Sequence, residues 1–307
     1  MGKIIVILFG IFIMSVDSYA SDFPAKGIYA RFAPSVVVIK ASDGSGAGMI
    51  GSGSIISNNG MVITNAHVVI AKESEKPYSR IIVYVKPENK ASVSDDDLSK
   101  YFEAEVLHYA DELDLAMLKL RGFDVNANII EFADPAEIDI GEEVVAIGHP
   151  EQGGFWSLTY GRISGEMRDY QGITGKDVFQ TDTSVNRGNS GGPLLDKRGY
   201  MVAVNSNIAR IGKGGLPITG VNFSIKSSVV KKWMAENGFT IAYGKTPLPE
   251  VEKKVENVTA GKSDDKTATE EKFSTPTRAY DYDSFLKAAE KDIEDMMEDM
   301  RGKTRRK

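Results

Sequence analysis

From Val36 to about Phe239 the chain is a succession of short apolar runs broken by Gly, Asn and Pro. "SVVVIKA", "GSIIS", "MVITNA", "RIIVYVK", "DLAMLKL", "EVVAIG", "MVAVNS" and "GVNFSI" all fit short β-strands. Asn59-Gly60, between two such runs, is a strong signal for a tight hairpin. No alternation of strands with long helices accompanies them, which argues against a parallel α/β sheet. Many short antiparallel strands point to a barrel or a sandwich. One segment breaks the pattern. "SSVVKKWMAEN" (227–237) places Val229, Val230, Trp233 and Met234 on one helical face, with Gly238 as a stop.

The two ends differ from this middle. Residues 1–20 carry one lysine, an apolar run from Ile4 to Met14 and then Ser18-Tyr19-Ala20. That is the anatomy of a secretory signal, expected to be cleaved after Ala20. Left uncleaved, it is the one route to membrane attachment. The chain has no cysteine, so it is neither a disulfide scaffold nor a thiol enzyme. An export signal without cysteine suits a bacterial periplasm or exterior. After Gly244, residues 245–280 are rich in Lys, Glu, Asp, Thr and Pro, the composition of a disordered linker. Within 281–307, the stretch 282–300 spaces Phe285, Ala289, Ile293, Met296 and Met300 as an amphipathic helix, and "RGKTRRK" follows. This helix is a candidate for self-association or partner docking. The net charge of −6 gives no reason to expect nucleic-acid binding.

The chemistry concentrates in "QTDTSVNRGNSGGPLLD" (180–196), where glycines crowd around Ser190. Such residues make turns, and they also let backbone N–H groups converge on a substrate. Two familiar motifs mislead. Gly46, Gly48 and Gly51 spell G-x-G-x-x-G, but a hairpin pattern follows where a dinucleotide site needs a helix. "GNSGG" satisfies G-x-S-x-G, but that elbow requires a histidine after the serine. The three histidines, His67, His108 and His149, all precede Ser190. The surviving order is His67 at the end of a strand, Asp114 at the start of one, then Ser190. A serine needs a base to take its proton, and a carboxylate on the far ring nitrogen fixes the base's tautomer. His108 reads as a surface or core residue, and His149 as a loop residue. No metal or cofactor site emerges, and Asp95, Asp96 and Asp97 lack the spacing of a calcium loop.

"TNAHVV", "DELDLAMLKL" and "QTDTSVNRGNSGGPLLD", with "GSGSIISNNGMVITNAHVV", "VVAIGHP" and "GVNFSI" in order, resemble the trypsin-like serine peptidases of the HtrA branch. The resemblance covers about residues 28–238. It implies an all-β chymotrypsin-like fold: two six-stranded antiparallel barrels, about 34–125 and 135–225, within a protease domain spanning 21–244. It implies His67 as base, Asp114 as orienting acid and Ser190 as nucleophile. The oxyanion hole is then the backbone N–H groups of Gly188 and Ser190, with Asn189 between. The specificity pocket is expected to involve Ser184, the segment Asn205, Ser206 and Asn207, and the segment holding Asn222, Phe223 and Ser224. No acid stands there, which argues against cleavage after Lys or Arg.

Asn189 departs from the aspartate of the digestive enzymes, so activation by pairing with a new N-terminus is not expected. About 63 residues follow Gly244, too few and too polar for the PDZ domain common in this branch. The expected function is an exported serine endopeptidase acting on polypeptides, above all unfolded or damaged ones. The competing expectation is an inactive or chaperone-like peptide-binding protein on the same scaffold.

Overall fold

The computed structural model describes residues 23–43, 48–88, 90, 93–94, 97–125, 128–150, 153–186, 188–206 and 220–244. The expected signal segment 1–20, Asn207, the expected linker 245–280 and the segment 281–307 lie outside them.

A short helix, α1 (Ala25–Phe32), leads into the first barrel. That barrel is built from β1 (Val36–Ser42), β2 (Gly48–Ile55) and β3 (Met61–Thr64), then β6 (Arg80–Tyr84), β7 (Tyr101–Ala110) and β8 (Leu115–Leu120). Between β3 and β6 come helix α2 (Ala66–Val69) and a two-stranded ribbon, β4 (Ile70–Ala71) and β5 (Lys76–Pro77). The barrel closes in the order β1-β2-β3-β8-β7-β6. The second barrel uses β9 (Glu143–Gly148), β10 (Ser157–Met167), β11 (Val178–Thr181), β12 (Pro193–Leu195), β13 (Met201–Ser206) and β14 (Asn222–Lys226). It closes in the order β10-β11-β14-β13-β12-β9. All pairings in both barrels are antiparallel. Helix α3 (Ser227–Glu236) follows, with Val229, Val230, Trp233 and Met234 buried and Gly238 at φ 86° behind it. The expected two-barrel architecture and the helix after it are therefore present.

The apolar runs are continuous rather than alternating because the core strands are covered on both faces. In β1, Val37, Ile39 and Ala41 point into the first barrel, while Val36 and Val38 join a cluster shared with the second. In β9, Val144 and Ala146 fill the second barrel, and Val145 and Ile147 meet the shared cluster. A strand with period two and two buried faces must be apolar throughout. Each large side chain so buried contributes roughly 1.5–3 kcal/mol. The shared cluster also takes Ile28 and Phe32 of α1, Trp156 and Trp233. Trp156 Nε1 donates to the Val36 carbonyl at 2.7 Å, a polar tie across the seam. At the far end Gly244 N donates to the Phe132 carbonyl at 2.8 Å, so the fold is still being hydrogen-bonded at residue 244.

Two local expectations need adjustment. His67 is not on a strand: β3 ends at Thr64 and the histidine lies in the single turn of α2. The apolar run continues through "AHVV" because the turn buries Ala66, Val68 and Val69 just as a strand would. His149 does follow β9 in a loop, but that loop is folded inward and the side chain is only 2% exposed. The ring of Trp156 packs edge-on against it, centroids 4.6 Å apart, and Trp156 N donates to His149 Nδ1 at 3.0 Å.

Candidate active site

The first barrel supplies a histidine and a carboxylate that meet directly. His67 Nδ1 stands 2.8 Å from Asp114 Oδ1 and 3.0 Å from Oδ2. The His67 backbone N–H also donates to Oδ1, at 3.1 Å. Ser206, from β13 of the second barrel, donates its hydroxyl to Oδ2 at 2.8 Å. Burial pushes the Asp114 carboxyl upward, but the donors from His67 and Ser206 outweigh it and hold the group below its ordinary value. An ionised carboxylate on Nδ1 requires that nitrogen to carry the proton. Nε2 then keeps its lone pair and can act as a base.

Asp114 pays for this placement with backbone strain. Its φ is +59°, in the left-handed region disfavoured for a residue with a Cβ. The strain is held from several sides. Asp114 N donates to the Asp111 carbonyl at 3.0 Å, and Asn65 Nδ2 donates to the Asp114 carbonyl at 2.8 Å. Asn65 carries no signal of this role in the sequence beyond its position two residues before the histidine.

Ser190 is 3% exposed and sits where the barrels touch. Its carbonyl accepts from Ser52 N of β2 at 2.8 Å, and the Gly188 carbonyl accepts from Ser52 Oγ at 2.6 Å. Asn189 N donates to the Asn186 carbonyl, and Gly192 N donates back to the Asn189 carbonyl, both at 3.0 Å. These bonds curl the chain into a tight turn. Gly188 and Gly191 adopt φ of 94° and 83°, which glycine alone reaches without penalty. The Asn189 side chain is buried, with Nδ2 3.4 Å from the Ser184 carbonyl. Its Oδ1 has no hydrogen-bond partner among the described residues.

The other expected pocket residues divide by where their side chains go. Ser184 is exposed, and its carbonyl accepts from Thr159 Oγ1 at 3.0 Å. Asn205 is fully buried, donating to the Pro193 carbonyl and accepting from Ser224 Oγ, both at 3.0 Å. Asn222 is buried between the Val185 N–H and the Thr181 carbonyl. Phe223 is half-buried, its ring 4.6 Å from that of Tyr170. Ser206 is committed to Asp114. The side chains of Asn205, Asn222 and Ser224 are thus taken up in hydrogen bonds within the second barrel, and Asn207 lies outside the described residues. His108 is half-buried on β7 against Phe239.

Residues 51–204, half of the chain, match the family described as the trypsin-like peptidase domain. The chain belongs to the trypsin-like peptidase family. Within that family its relatives are of the HtrA type. It is 33% identical over 181 residues to the probable periplasmic serine endoprotease DegP-like of Pseudomonas putida, covering 59% of this chain and 33% of that protein. It is 32% identical over 177 residues to the serine protease Do-like HtrB of Bacillus subtilis, covering 53% and 36%. It is also 32% identical over 181 residues to the magnetosome formation protease MamE of Magnetospirillum gryphiswaldense, covering 58% and 21%. Among solved structures, the HtrA-type protease AlgW with tripeptide superposes with a TM-score of 0.54 at 28% identity, over 70% of this chain and 64% of that one. This trypsin-like peptidase chain spans between a fifth and two fifths of the length of these three curated relatives.

Proposed function

We propose that the chain is a serine endopeptidase that hydrolyses peptide bonds with His67, Asp114 and Ser190. The observation that carries this reading is the His67 Nδ1 to Asp114 Oδ1 contact of 2.8 Å, in a family-matched segment that also contains the glycine turn around Ser190. Ser190 Oγ attacks the scissile carbonyl as His67 Nε2 takes its proton. The developing oxyanion is met by the backbone N–H groups of Gly188 and Ser190. The C–N bond then breaks, and His67 returns the proton to the departing amine. Water, activated by the same imidazole, hydrolyses the acyl-serine and restores the hydroxyl. One such backbone donor is worth roughly 3–4 kcal/mol to the transition state.

The substrate class in this reading is polypeptide, taken in an unfolded or damaged state. The site is exported to the periplasm or beyond through the segment 1–20, and named periplasmic relatives support that placement. The helix expected at 282–300 is proposed as the self-association or partner element, and comparing the full chain with a chain ending at Gly244 by size-exclusion chromatography tests it. The peptidase reading itself is tested with a fluorophosphonate probe and casein. Stoichiometric labelling at Ser190 and casein cleavage are expected. A folded protein that does neither overturns the reading in favour of a peptide-binding scaffold.

A further inference from the structure

One charged side chain near the site is not accounted for by the chemistry above. Lys176 lies on the second barrel, just before β11, and is only 4% exposed. Its Nζ donates to the Glu112 carbonyl at 2.8 Å. Glu112 belongs to the turn between β7 and β8 of the first barrel, the turn that ends in Asp114. A buried ammonium is costly, and a surface lysine of ordinary purpose does not cross from one barrel to the other. Burial pulls the Lys176 pKa down, and the charge of Asp114 acts in the opposite direction, so the ammonium feels the carboxylate. The lysine is itself held: its N–H donates to the Ile173 carbonyl at 3.1 Å, and its carbonyl accepts from Tyr170 N at 2.8 Å.

We propose that Lys176 is a positioning residue for Asp114, fastening the 111–114 turn to the second barrel so that the strained carboxylate faces His67. A residue held at φ +59° persists only where its surroundings over-determine it. Asn65 and the Asp111 carbonyl fix the end of the turn from within the first barrel. Lys176 fixes its middle from the second. The ring of contacts on this turn therefore closes from one barrel to the other, and the acid's position depends on how the barrels are docked. This inference rests on the peptidase reading for its catalytic consequence, though not for the contact itself.

The test uses the full-length protein with Lys176→Met, a side chain of similar length that fills the site without charge or donor. Three quantities are read: the rate of fluorophosphonate labelling together with kcat and KM on casein, the thermal midpoint, and amide hydrogen exchange over residues 111–114. Labelling and kcat are expected to fall by about ten-fold or more, with KM held, exchange in the turn accelerated, and the thermal midpoint unchanged or raised. The unchanged midpoint matters, because loss of a merely structural tie lowers stability in proportion to activity. Should the methionine variant not fold, Lys176→Gln supplies the same readouts. Wild-type rates together with wild-type exchange overturn the proposal, as does faster exchange with undiminished turnover. If the wild-type protein itself takes no label, the peptidase reading fails separately. The clamp is then judged by exchange alone, faster exchange supporting it and unchanged exchange sinking it.

Discussion

Ser206 Oγ stands 2.8 Å from Asp114 Oδ2, so the carboxylate that orients a histidine of the first barrel takes a hydrogen bond from the second. Three donors converge on it: the ring and backbone N–H groups of His67, and this hydroxyl. Ser206→Ala removes one of them and leaves the other two. A hydrogen bond to a charged group contributes roughly 1.5–3 kcal/mol. The expected result is a fall in kcat/KM of about ten-fold or more with the fold retained, read on casein alongside circular dichroism. A variant with wild-type kcat/KM shows that the hydroxyl does not support the acid.

The triad itself is tested by two substitutions with different reasons. Ser190→Ala removes the attacking oxygen and is expected to abolish labelling and casein cleavage without unfolding the protein. Asp114→Asn keeps the shape but lets the amide donate to Nδ1, which places the ring proton on the wrong nitrogen. The comparable change in a well-studied triad lowers kcat by about ten-thousand-fold, and a loss of that order is expected here. Retention of wild-type turnover by either variant contradicts its assigned role.

Asn189 gives a prediction about charge. Its Oδ1 is buried with no partner among the described residues, and a Cβ placed on Gly148 would lie 2.5 Å from that atom. A carboxylate there is buried, and one of its oxygens takes a position that meets no hydrogen-bond donor among the described residues. Asn189→Asp is therefore expected to destabilise the protein by about 3 kcal/mol or more at neutral pH, with partial relief on acidification as the new acid protonates. Urea denaturation at two pH values measures it. Equal stability in both proteins at pH 7 would mean that the side chain can reach solvent or a cation.

His149 contributes to the acid limb of stability. Burial lowers its pKa from 6.5 to about 3, even though the Val37 backbone works weakly in the other direction. Above pH 6.5 the ring is neutral whether the chain is folded or not, and it contributes no pH dependence. Below 6.5 the unfolded chain takes a proton that the folded one refuses, so stability falls with pH until about 3 and then levels off. The full loss is on the order of 5 kcal/mol. His149→Gln keeps an acceptor for Trp156 N but cannot titrate. Thermal midpoints measured across this range should decline less steeply in the variant, and parallel curves would assign the acid lability elsewhere.

Much of this was legible because it is local. The strands of both barrels are apolar runs with their own turn signals, and Ser190 announces itself through the glycines on either side. His67 and Asp114 stand out through chain order and short flanking text. What the sequence hides is what spans distance. Ser206 reaches Asp114 across 92 positions, and Lys176 reaches Glu112 across 64. Neither residue type is unusual in its own neighbourhood. Ser206 therefore reads as one more pocket residue, and Lys176 is not singled out at all. His149 reads as a loop residue for the same reason: nothing beside it in the chain tells that Trp156 and β1 close over it. The turn of α2 is missed because a single buried helical turn and a strand end carry the same apolar letters.

The glycine after Ser190 acts as a gauge block between the two halves of the molecule. A methyl group built on Gly191 would lie 2.2 Å from Thr64 Oγ1 and 2.3 Å from the Ser52 carbonyl, both on the opposite barrel. The spacing of the halves is thus set by an atom that is missing. A side chain inserted there meets the first barrel like a shim, so that the halves must shift while every residue of the proposed triad stays in the chain. A defect of that kind is one of alignment rather than composition.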